Sequence, residues 1–348
     1  MKVMLAMSGG VDSSVAGALL QQQGHDVVGV TMKLWGGDSD SGCCSVSDVD
    51  DARRVAQQLD IDHLVFNFGD DFNEHVVAPY VRDHAAGITP NPCVECNRHL
   101  KFDRLLRRAD QLGFDAVATG HHARIDRRTD GRYLLGRGTD AAKDQSYVVH
   151  MLGQDALSRT LFPVGDIDKT EVRRLAAEMG LRTAAKPDSQ DVCFITSTGG
   201  RETFLGDRIA FRPGRVVDTD GSQVGVVESV EMVTIGQRRG IGLPGGGPKR
   251  YVVDVDVPNA VVTVGADADL FVKQLVVESP TWSAEPFEGE ALVQCSAHGE
   301  PKSGHVVGDG SRVFVTWAER QRRIAPGQSV VFYELSDQYV LGGGTAAR

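Results

Sequence analysis

Apolar and polar positions alternate in two different ways along the chain, and the change falls near residue 205. Before this point, short apolar runs predict β-strands. These runs are Val3–Met7, Val27–Leu34, His63–Phe68 and Asp115–Gly120. Stretches with apolar residues at helical spacing lie between them, as at Val11–Gln23 and Phe102–Leu112, each followed by a glycine. Strands that alternate with helices predict βαβ units, and therefore an α/β fold with a doubly wound parallel sheet.

After residue 205 the chain consists of short strand-like runs separated by turns rich in Gly and Pro. The clearest runs are Val224–Val227, Tyr251–Val255, Leu292–Cys295 and Val313–Trp317. Strands at this spacing, without helices between them, predict one or two small all-β modules. The stretch "GLPGGGPKR" at residues 242–250 is either a linker or a loop inside the first module.

The composition is that of an ordinary globular protein. The 348 residues are 41% hydrophobic and 24% charged. Because no apolar run reaches membrane-spanning length and the first residues lack a secretory signal, we expect a cytoplasmic protein that does not bind a membrane. The six cysteines are too few for a disulfide scaffold. Cysteines that lie close together in a reducing compartment are more often catalytic or metal-binding.

The formal net charge of −10 argues against a generic nucleic-acid binder. The charges are unevenly distributed, however. Residues 38–83 contain eleven Asp and Glu and three Arg, whereas residues 97–137 contain ten Lys and Arg and five Asp. A local basic surface is therefore compatible with an acidic protein, although these counts support a solvated helix face equally well.

The stretch "MLAMSGGVDSS" at residues 4–14 places two glycines and three serines around the end of the first predicted strand. We expect Asp12 or Ser13 to begin a helix, whose first amide groups have no partner within the helix. Glycines let an anion approach the backbone, hydroxyls add donors, and the helix dipole favours negative charge there. The turn therefore predicts a phosphate-binding site, but not one of the Walker type, because the Lys-Ser/Thr ending is missing.

The segment "SGGVDSS" (residues 8–14) resembles the pyrophosphate-binding loop of ATP pyrophosphatases, which cleave ATP between the α and β phosphates and transfer AMP to a substrate oxygen. Further stretches follow in order along the chain. They are "GITPNPCVECNRHLKFD" (87–103), "TGHHAR" (119–124), "KDQSYVVHML" (143–152) and "AKPDSQDVCFI" (185–195). Weaker matches lie at "TIGQRRG" (234–240), "APGQSVVFY" (325–333) and "LGGG" (341–344). As a set, these motifs resemble the bacterial tRNA-specific 2-thiouridylase family.

This resemblance implies three domains. A catalytic ATP pyrophosphatase domain with an adenine nucleotide α-hydrolase-like sheet would occupy residues 1–205, a small β-rich domain residues 206–268, and a C-terminal β-barrel residues 269–348. The implied reaction is the adenylation of the C2 oxygen of the wobble uridine in tRNA, followed by sulfur transfer from a cysteine persulfide. The implied reactants and partners are ATP with Mg²⁺, tRNA, and a sulfur-donor protein such as a cysteine desulfurase or a sulfur-relay protein.

The resemblance also implies site residues. Those that would bind ATP are Ala6, Met7, Ser8, Gly9, Gly10, Val11, Asp12, Ser13, Ser14, Met32 and Gly120. Those that would contact tRNA are Asn91, Pro92, Cys93, His121, Lys143, Asp144, Gln145 and Gln328. Without the family, His121 is better interpreted as an ordinary surface histidine, and His122 is its rival. Near Gln328, Arg320, Arg322 and Arg323 are as compatible with a solvated loop as with phosphate binding.

Two cysteines carry the implied catalytic roles. Cys193 would receive sulfur from the donor protein, and Cys96 would either attack to release this sulfur or end in a disulfide with Cys193. Such exchange requires thiolates, so we expect a nearby cation or helix N-terminus, with Arg98 as a candidate. The remaining cysteines, Cys43, Cys44 and Cys295, are better interpreted as small buried hydrophobic residues.

Cys93 stands where some family members have an Asp three residues before the nucleophilic cysteine, so the role of that Asp is not carried over. The Cys93–Cys96 pair is compatible with a redox safeguard, with half of a metal site, or, together with Cys193, with three ligands of an iron–sulfur cluster. No second pair at zinc spacing is present, and we expect no structural metal site. We favour the persulfide route over the cluster.

Two other function classes remain open. Another ATP-dependent ligase with the same loop would leave Cys96 and Cys193 without a role. A non-catalytic regulator would bind ATP without cleaving it. Pyrophosphate release that depends on tRNA distinguishes the thiouridylase from both.

Overall fold

The computed structural model describes residues 1–34, 46–188, 192–195, 199–244 and 247–348. It confirms the predicted fold class: a parallel sheet with helices, followed by small all-β units of which the last is a closed barrel. The strands of the N-terminal unit are β1 (Lys2–Ala6), β2 (Asp26–Lys33), β3 (His63–Asn67), β4 (Ala116–Ala118), β5 (Ala123–Arg127), β6 (Tyr133–Arg137) and β7 (Thr160–Leu161).

The described α-helices belong to the same unit and are mostly short. They are α1 (Val11–Gln22), α2 (Val46–Gln58), α3 (Gly69–Phe72), α4 (Ala78–Ala85), α5 (Pro92–Cys96), α6 (Leu105–Gln111), α7 (Gln154–Leu157), α8 (Lys169–Glu178) and α9 (Gly200–Gly206). Wider π-helical turns at Asn73–Val77 join α3 to α4, and similar turns at Asn97–Arg104 join α5 to α6. Within the described ranges, every helix falls short of the length and apolar content that a membrane crossing requires.

The main sheet has the strand order β3-β2-β1-β4-β7, and all its pairings are parallel. Alternate residues of β1 enter different hydrophobic clusters: Met4 packs on one face of the sheet, whereas Val3 and Leu5 pack on the other. Both faces are therefore covered, as expected for a parallel sheet. The carboxyl ends of the strands meet at one edge, where a doubly wound sheet places its ligands.

The all-β part forms two units. The first contains β8 (Gly214–Val217), β9 (Gln223–Val227), β10 (Tyr251–Asp256) and β11 (Val261–Gly265), in the order β10-β11-β8-β9. The second contains β12 (Phe271–Trp282), β13 (Gly289–Gln294), β14 (Lys302–Gly308), β15 (Arg312–Arg322), β16 (Ser329–Tyr333) and β17 (Val340–Ala346). These strands close into a barrel in the order β12-β15-β14-β13-β16-β17.

The barrel packs directly against the N-terminal unit. Val331, Tyr333 and Val340 of the barrel belong to the same hydrophobic cluster as Met4 of β1. The backbone also connects the two units, because Gly136 of the β5–β6 hairpin forms a bridge with the barrel's Tyr339, and the amide of Arg137 donates to Gln338 O at 2.9 Å. The barrel is therefore placed where it can contribute to a site on the sheet.

Candidate active site

The turn after β1 leads directly into the helix that apolar spacing predicts at Val11–Gln23, and this helix begins at the first residue of that stretch. Helix α1 begins at Val11 with Gly10 as its N-cap, instead of at Asp12 or Ser13. Within the first turn, the hydroxyls of Ser13 and Ser14 bond back to their own helix and donate to Gly10 O at 3.2 and 2.8 Å. Gly10 has an extended backbone and no side chain, so it provides no side-chain cap for the first amide groups of α1.

Two glycines make this turn possible. Gly9 has a φ of +70°, and a Cβ there would lie 2.4 Å from Asp48 O. A Cβ on Gly120 would lie 2.6 Å from the backbone nitrogen of Ser13 and 2.8 Å from the carbonyl carbon of Asp12. Only glycine allows both the left-handed backbone at the first position and the close approach at the second. The end of β4 is thereby held against the first turn of α1.

A cleft of about 480 Å³ opens at this carboxyl edge of the sheet. It brings together most of the residues expected to bind ATP and half of those expected to contact tRNA. The expected residues that line it are Ala6, Met7, Ser8, Gly10, Val11, Asp12, Ser13, Met32, Gly120, His121, Lys143, Asp144 and Gln145. The structure thus joins the first turn to segments more than a hundred residues away.

The cleft also has lining residues that the sequence analysis missed. From the N-terminal unit these include Lys101, Lys169, Lys186 and Asp188. Two more, Ala297 and His298, come from the barrel loop between β13 and β14. Lys186 and Asp188 lie within the quoted motif at 185–195, so a signal for them was present. For Ala297 and His298 nothing in the pattern pointed to the cleft.

Lys169 joins two carboxylates in the cleft wall. Its Nζ lies 2.6 and 2.7 Å from the two oxygens of Asp12 and 2.9 Å from Asp188 Oδ1. Lys143 Nζ donates to the other oxygen of Asp188 at 2.8 Å. The Lys169 side chain is only 11% exposed, so this pairing replaces most of its contact with water.

These contacts keep the carboxylates charged. Burial by itself would raise the pKa of Asp188, but hydrogen bonds and positive charge from Lys143 and Lys169 outweigh it and lower the pKa to about 2. The pKa of Asp12 moves in the same direction, because bonds from His122 and Lys169 outweigh its burial. Both groups are therefore anionic at neutral pH, and they hold the lysine ammoniums beside the turn.

A further ammonium contacts the turn itself. Lys186 Nζ donates to Gly9 O at 2.9 Å and to carboxylate oxygens of Asp48 and Asp51, each at 2.7 Å. Burial would lower the pKa of Lys186, but these bonds outweigh it and raise the pKa. Together with the amides of α1, Lys169 and Lys186 give the cleft a set of donors suited to phosphate oxygens.

The two histidines of the "TGHHAR" motif have different partners. His121 is buried, so the interpretation as a surface histidine was wrong, and its Nδ1 shares a hydrogen bond of 2.7 Å with Thr119 Oγ1. Burial, with Lys101 and His122 nearby, holds the pKa of His121 well below its usual range, and the ring is neutral. His122 Nε2 lies 3.1 Å from Asp12 Oδ1, which makes it part of the network around the turn.

The cysteines lie next to the cleft and not in its wall. Cys96, at the end of α5, is buried, and Cys193 is half-buried in the same hydrophobic cluster. Cys93 is exposed, and its amide donates to the side chain of Asn91 at 3.1 Å. The helical segment that follows Cys96 reaches the cleft at Lys101. Among the described residues that line the cleft there is no cysteine.

Gln328 lies on the barrel side of the loop that carries Asn91, Pro92 and Cys93. Its Nε2 donates to Thr89 O at 2.6 Å. These expected tRNA contacts therefore form a second group, outside the cleft lining. Of the nearby arginines, Arg322 pairs with Asp267 and Arg323 donates to Val253 O at 3.0 Å; both hold the barrel to its neighbours.

Within the part of the chain that the structure describes, no three His, Cys, Asp or Glu side chains converge to hold a metal ion. Cys93, Cys96 and Cys193 therefore do not form a ligand set in this conformation.

Cys295 packs against the barrel core, and burial raises the pKa of its thiol to about 12. Cys43 and Cys44 lie outside the described residues.

Models of protein families match almost the whole chain. The model described as "tRNA methyl transferase HUP domain" matches residues 1–197. The "tRNA methyl transferase PRC-barrel domain" matches residues 202–266, and the "Aminomethyltransferase beta-barrel domain" matches residues 272–346. These matches follow the order of the three structural units.

Curated relatives and a solved structure were compared as well. The chain is 45% identical to the tRNA-specific 2-thiouridylase MnmA of Heliobacterium modesticaldum, over 99% of this chain and 92% of the relative. It is 46% identical to that of Chloroflexus aurantiacus, over 99% and 98%. The U34-tRNA thiolase NcsA from Methanococcus maripaludis, solved with its [4Fe-4S] cluster, is 18% identical over 60% of this chain and 63% of that chain, with a TM-score of 0.36. Neither function nor cofactor transfers at that level of likeness. Since identity near 45% extends over nearly the full length of both chains, the protein belongs to the tRNA-specific 2-thiouridylase family.

Proposed function

We propose that this protein is an ATP-dependent sulfurtransferase that converts the wobble uridine of tRNA to 2-thiouridine. The observation that carries the proposal is the identity of about 45% to 2-thiouridylases over 99% of the chain. The cleft at the first turn of α1 supports it, because backbone amides and ammonium groups there can bind the phosphates of a nucleoside triphosphate, and glycine lets the phosphates approach the backbone. The reducing cytoplasm is the compartment in which its thiols would work.

In the first step the C2 carbonyl oxygen of uridine attacks the α-phosphorus of ATP, and pyrophosphate leaves. The amides of α1 and the ammoniums of Lys169 and Lys186 would stabilise the charge that develops on pyrophosphate. Mg²⁺ neutralises phosphate charge when it accompanies ATP, and it is usually held by substrate phosphates and one or two carboxylates. Asp12, which lines the cleft at the turn, would supply such a carboxylate in place of part of its contact with Lys169. The product carries AMP on its C2 oxygen, which can now depart.

In the second step the terminal sulfur of a Cys193 persulfide attacks C2, and AMP leaves with the oxygen. The Cys96 thiolate then attacks Cys193 Sγ, which frees the 2-thiouridine sulfur and leaves a Cys96–Cys193 disulfide. A dithiol reductant must reduce this disulfide, and a cysteine desulfurase or a sulfur-relay protein must reload Cys193. The common cluster that holds both cysteines supports this pairing. Transfer requires both sulfurs to reach the cleft when tRNA is bound.

The wobble uridine would enter the cleft as an extruded base. Lys143 and Gln145 on one wall and His121 on another would contact it or its phosphates, and the presence of all three in the cleft lining supports this. Asn91, Pro92, Cys93 and Gln328 would contact the RNA outside the cleft. The rival iron–sulfur route would require Cys93, Cys96 and Cys193 to rearrange into a common ligand set.

The test is the formation of 2-thiouridine from unmodified tRNA, ATP and a persulfide source, detected by mass after digestion of the RNA. Cys96→Ser and Cys193→Ser should each abolish the product. Cys295→Ala, which alters a thiol of the barrel core, should not. Cys93→Ser should retain activity on the persulfide route and lose it on the cluster route. Absence of product with the unaltered protein, or full activity of either catalytic variant, contradicts the proposal.

A further inference from the structure

We propose that Arg137 is a positioning residue that fixes the distance between the two walls of the cleft. One wall is the segment 143–145 of the N-terminal unit, and the other is the barrel loop with Ala297 and His298; both line the cleft. Arg137 is not among the lining residues. It lies behind both walls, at the end of β6, and it binds each of them.

The first wall is held through Asp144. Arg137 Nη1 donates to Asp144 Oδ2 at 2.7 Å. The same carboxylate accepts the amides of Gly138 and Ser146 at 2.9 and 3.1 Å, and also the Ser146 hydroxyl at 2.8 Å. The Asp144 side chain is only 7% exposed, so its acceptor capacity is used inside the protein. Its position fixes the neighbouring Lys143 in the cleft wall.

The second wall is held through Gln294. Arg137 Nη2 donates to Gln294 Oε1 at 2.9 Å. The amide nitrogen of the same Gln294 side chain donates to the carbonyls of Ser296 and Ala297, at 2.9 and 3.2 Å. These two carbonyls belong to the loop that brings His298 to the cleft. One guanidinium thus reaches the barrel loop through a single intermediate side chain.

Two more barrel contacts prevent the guanidinium from turning. Asp337 Oδ1 accepts from Arg137 Nη2 at 2.7 Å and from Nε at 2.9 Å. The guanidinium carbon also lies 3.7 Å from the centre of the Tyr333 ring. A planar fork with fixed donors can serve these partners together, whereas a lysine ammonium is a point charge that cannot. The two walls therefore keep one separation.

A fixed distance between the two walls matters for the reaction because the substrates must be aligned in the cleft. This inference about Arg137 depends on the proposed function only in the experiments that measure activity. A substrate base and a triphosphate must meet within the cleft, and a misplacement of about 1 Å can cost roughly 10²-fold in rate. Loss of the Arg137 contacts would separate the segment around Lys143 from the loop around His298, while the first turn of α1 keeps its own bonds.

The experiment compares four variants in the full-length protein. Arg137→Met should lower kcat/KM for tRNA by about 10- to 100-fold with little change in the Kd for ATP, and Arg137→Lys should recover part of the loss. Gln294→Met breaks only the link to the barrel loop and should give a smaller loss. Tyr339→Phe is the control, because the Tyr339 hydroxyl donates to Asp126 at 3.0 Å in the same interface without a link to either wall.

Hydrogen–deuterium exchange supplies a readout that does not depend on activity. Arg137→Met should increase amide exchange in both segments, residues 138–146 and 294–299. Gln294→Met should increase it only in the second, which also covers the case in which Arg137→Met fails to fold. Unchanged exchange in both segments, or a tRNA rate of Arg137→Met equal to that of Tyr339→Phe, overturns the inference. Absence of 2-thiouridine with the unaltered protein overturns the proposed function, and the exchange result then decides this inference separately.

Discussion

At the scale of single residues, the cleft depends on charges that are paired with one another before any substrate binds. Lys169 illustrates this, since its ammonium contacts both oxygens of Asp12 and one of Asp188. A network of this kind holds cations at fixed positions without leaving them unpaired in a partly buried site. The phosphate oxygens of a bound nucleotide can then compete with these carboxylates for hydrogen bonds from an ammonium group that is already oriented.

Replacement of Lys169 by Met should remove the ATP-dependent step. We expect tRNA-dependent pyrophosphate release to fall by about 10²-fold, as for loss of one preorganised donor. We also expect the free energy of unfolding to fall by about 3 kcal/mol, because Asp12 and Asp188 lose their shared partner. Pyrophosphate release and urea unfolding measure the two effects. Lys273→Met, in the barrel, should change neither, since Lys273 Nζ donates to Ala318 O at an exposed site far along the chain from these carboxylates.

The lowered pKa of Asp188 predicts a dependence of stability on pH. A carboxyl whose pKa falls from 3.8 to about 2 on folding stabilises the folded state above the unfolded pKa. This contribution is lost as the pH falls from about 4 through about 2. Urea unfolding across that range should therefore show a smaller acid sensitivity for Asp188→Asn than for the unaltered protein. Equal slopes would contradict the assignment.

The residue scale also shows where sequence reasoning ends. The turn residues could be named because they are contiguous and because glycine and hydroxyl groups have few other uses at that spacing. The partnership of Asp12 with Lys169 spans 157 positions, and no local pattern encodes it. For Asp144 the family resemblance implies contact with tRNA, and no local pattern showed that its carboxylate also accepts from Arg137 and from the backbone.

At the scale of elements, the first strands and helix α1 were predicted well, whereas the helix after Cys96 was not. β1 and β2 lie within a residue of the predicted runs, because buried strands of a parallel sheet are continuous apolar runs. The predicted helix Phe102–Leu112 is π-helical up to Arg104 and α-helical only from Leu105. Apolar spacing does not distinguish a wide turn from an α-helical turn within so short a segment.

The contact between β4 and α1 gives a test at this scale. Gly120→Ala adds a Cβ that would overlap the backbone of Ser13, so the strand end and the helix must move apart. We expect the affinity for ATP to fall by about 10-fold, equivalent to about 1.4 kcal/mol. Calorimetric titration measures it. Gly308→Ala is the matched control, because the Cβ there would have Arg312 O at 3.8 Å as its nearest neighbour.

At the scale of the whole molecule, the barrel is a separate unit that also contributes residues to the wall of the cleft. Two of its strands, β13 and β15, overlap predicted runs, but its contact with the cleft was not predicted, because the contact joins loops from both units. Ala297 and His298 enter the cleft wall, and Gln328 binds the loop that precedes Asn91. Both contacts appear only when the closed barrel packs on the sheet.

Replacement of Gln328 tests whether the packing of the barrel on the N-terminal unit contributes to tRNA binding. Gln328→Met removes the donor to Thr89 O and should loosen the loop that carries Asn91 and Cys93. We expect the Kd for tRNA to rise by about 10-fold, or about 1.4 kcal/mol, with the Kd for ATP unchanged. Gln321→Met alters a half-buried glutamine of β15 whose side chain makes a local bond to Glu319 O, and it should leave both constants unaltered. Equal effects of the two variants would contradict this role.

The central claim is that the uridine C2 oxygen becomes a leaving group by adenylation in the cleft, and isotope transfer tests it most directly. Unmodified tRNA with ¹⁸O at C2 of the wobble uridine is incubated with the protein, ATP and a persulfide source, and the nucleotide products are analysed by mass. The account predicts one ¹⁸O in AMP for each 2-thiouridine formed. Unlabelled AMP, or label in phosphate released together with ADP, would contradict it.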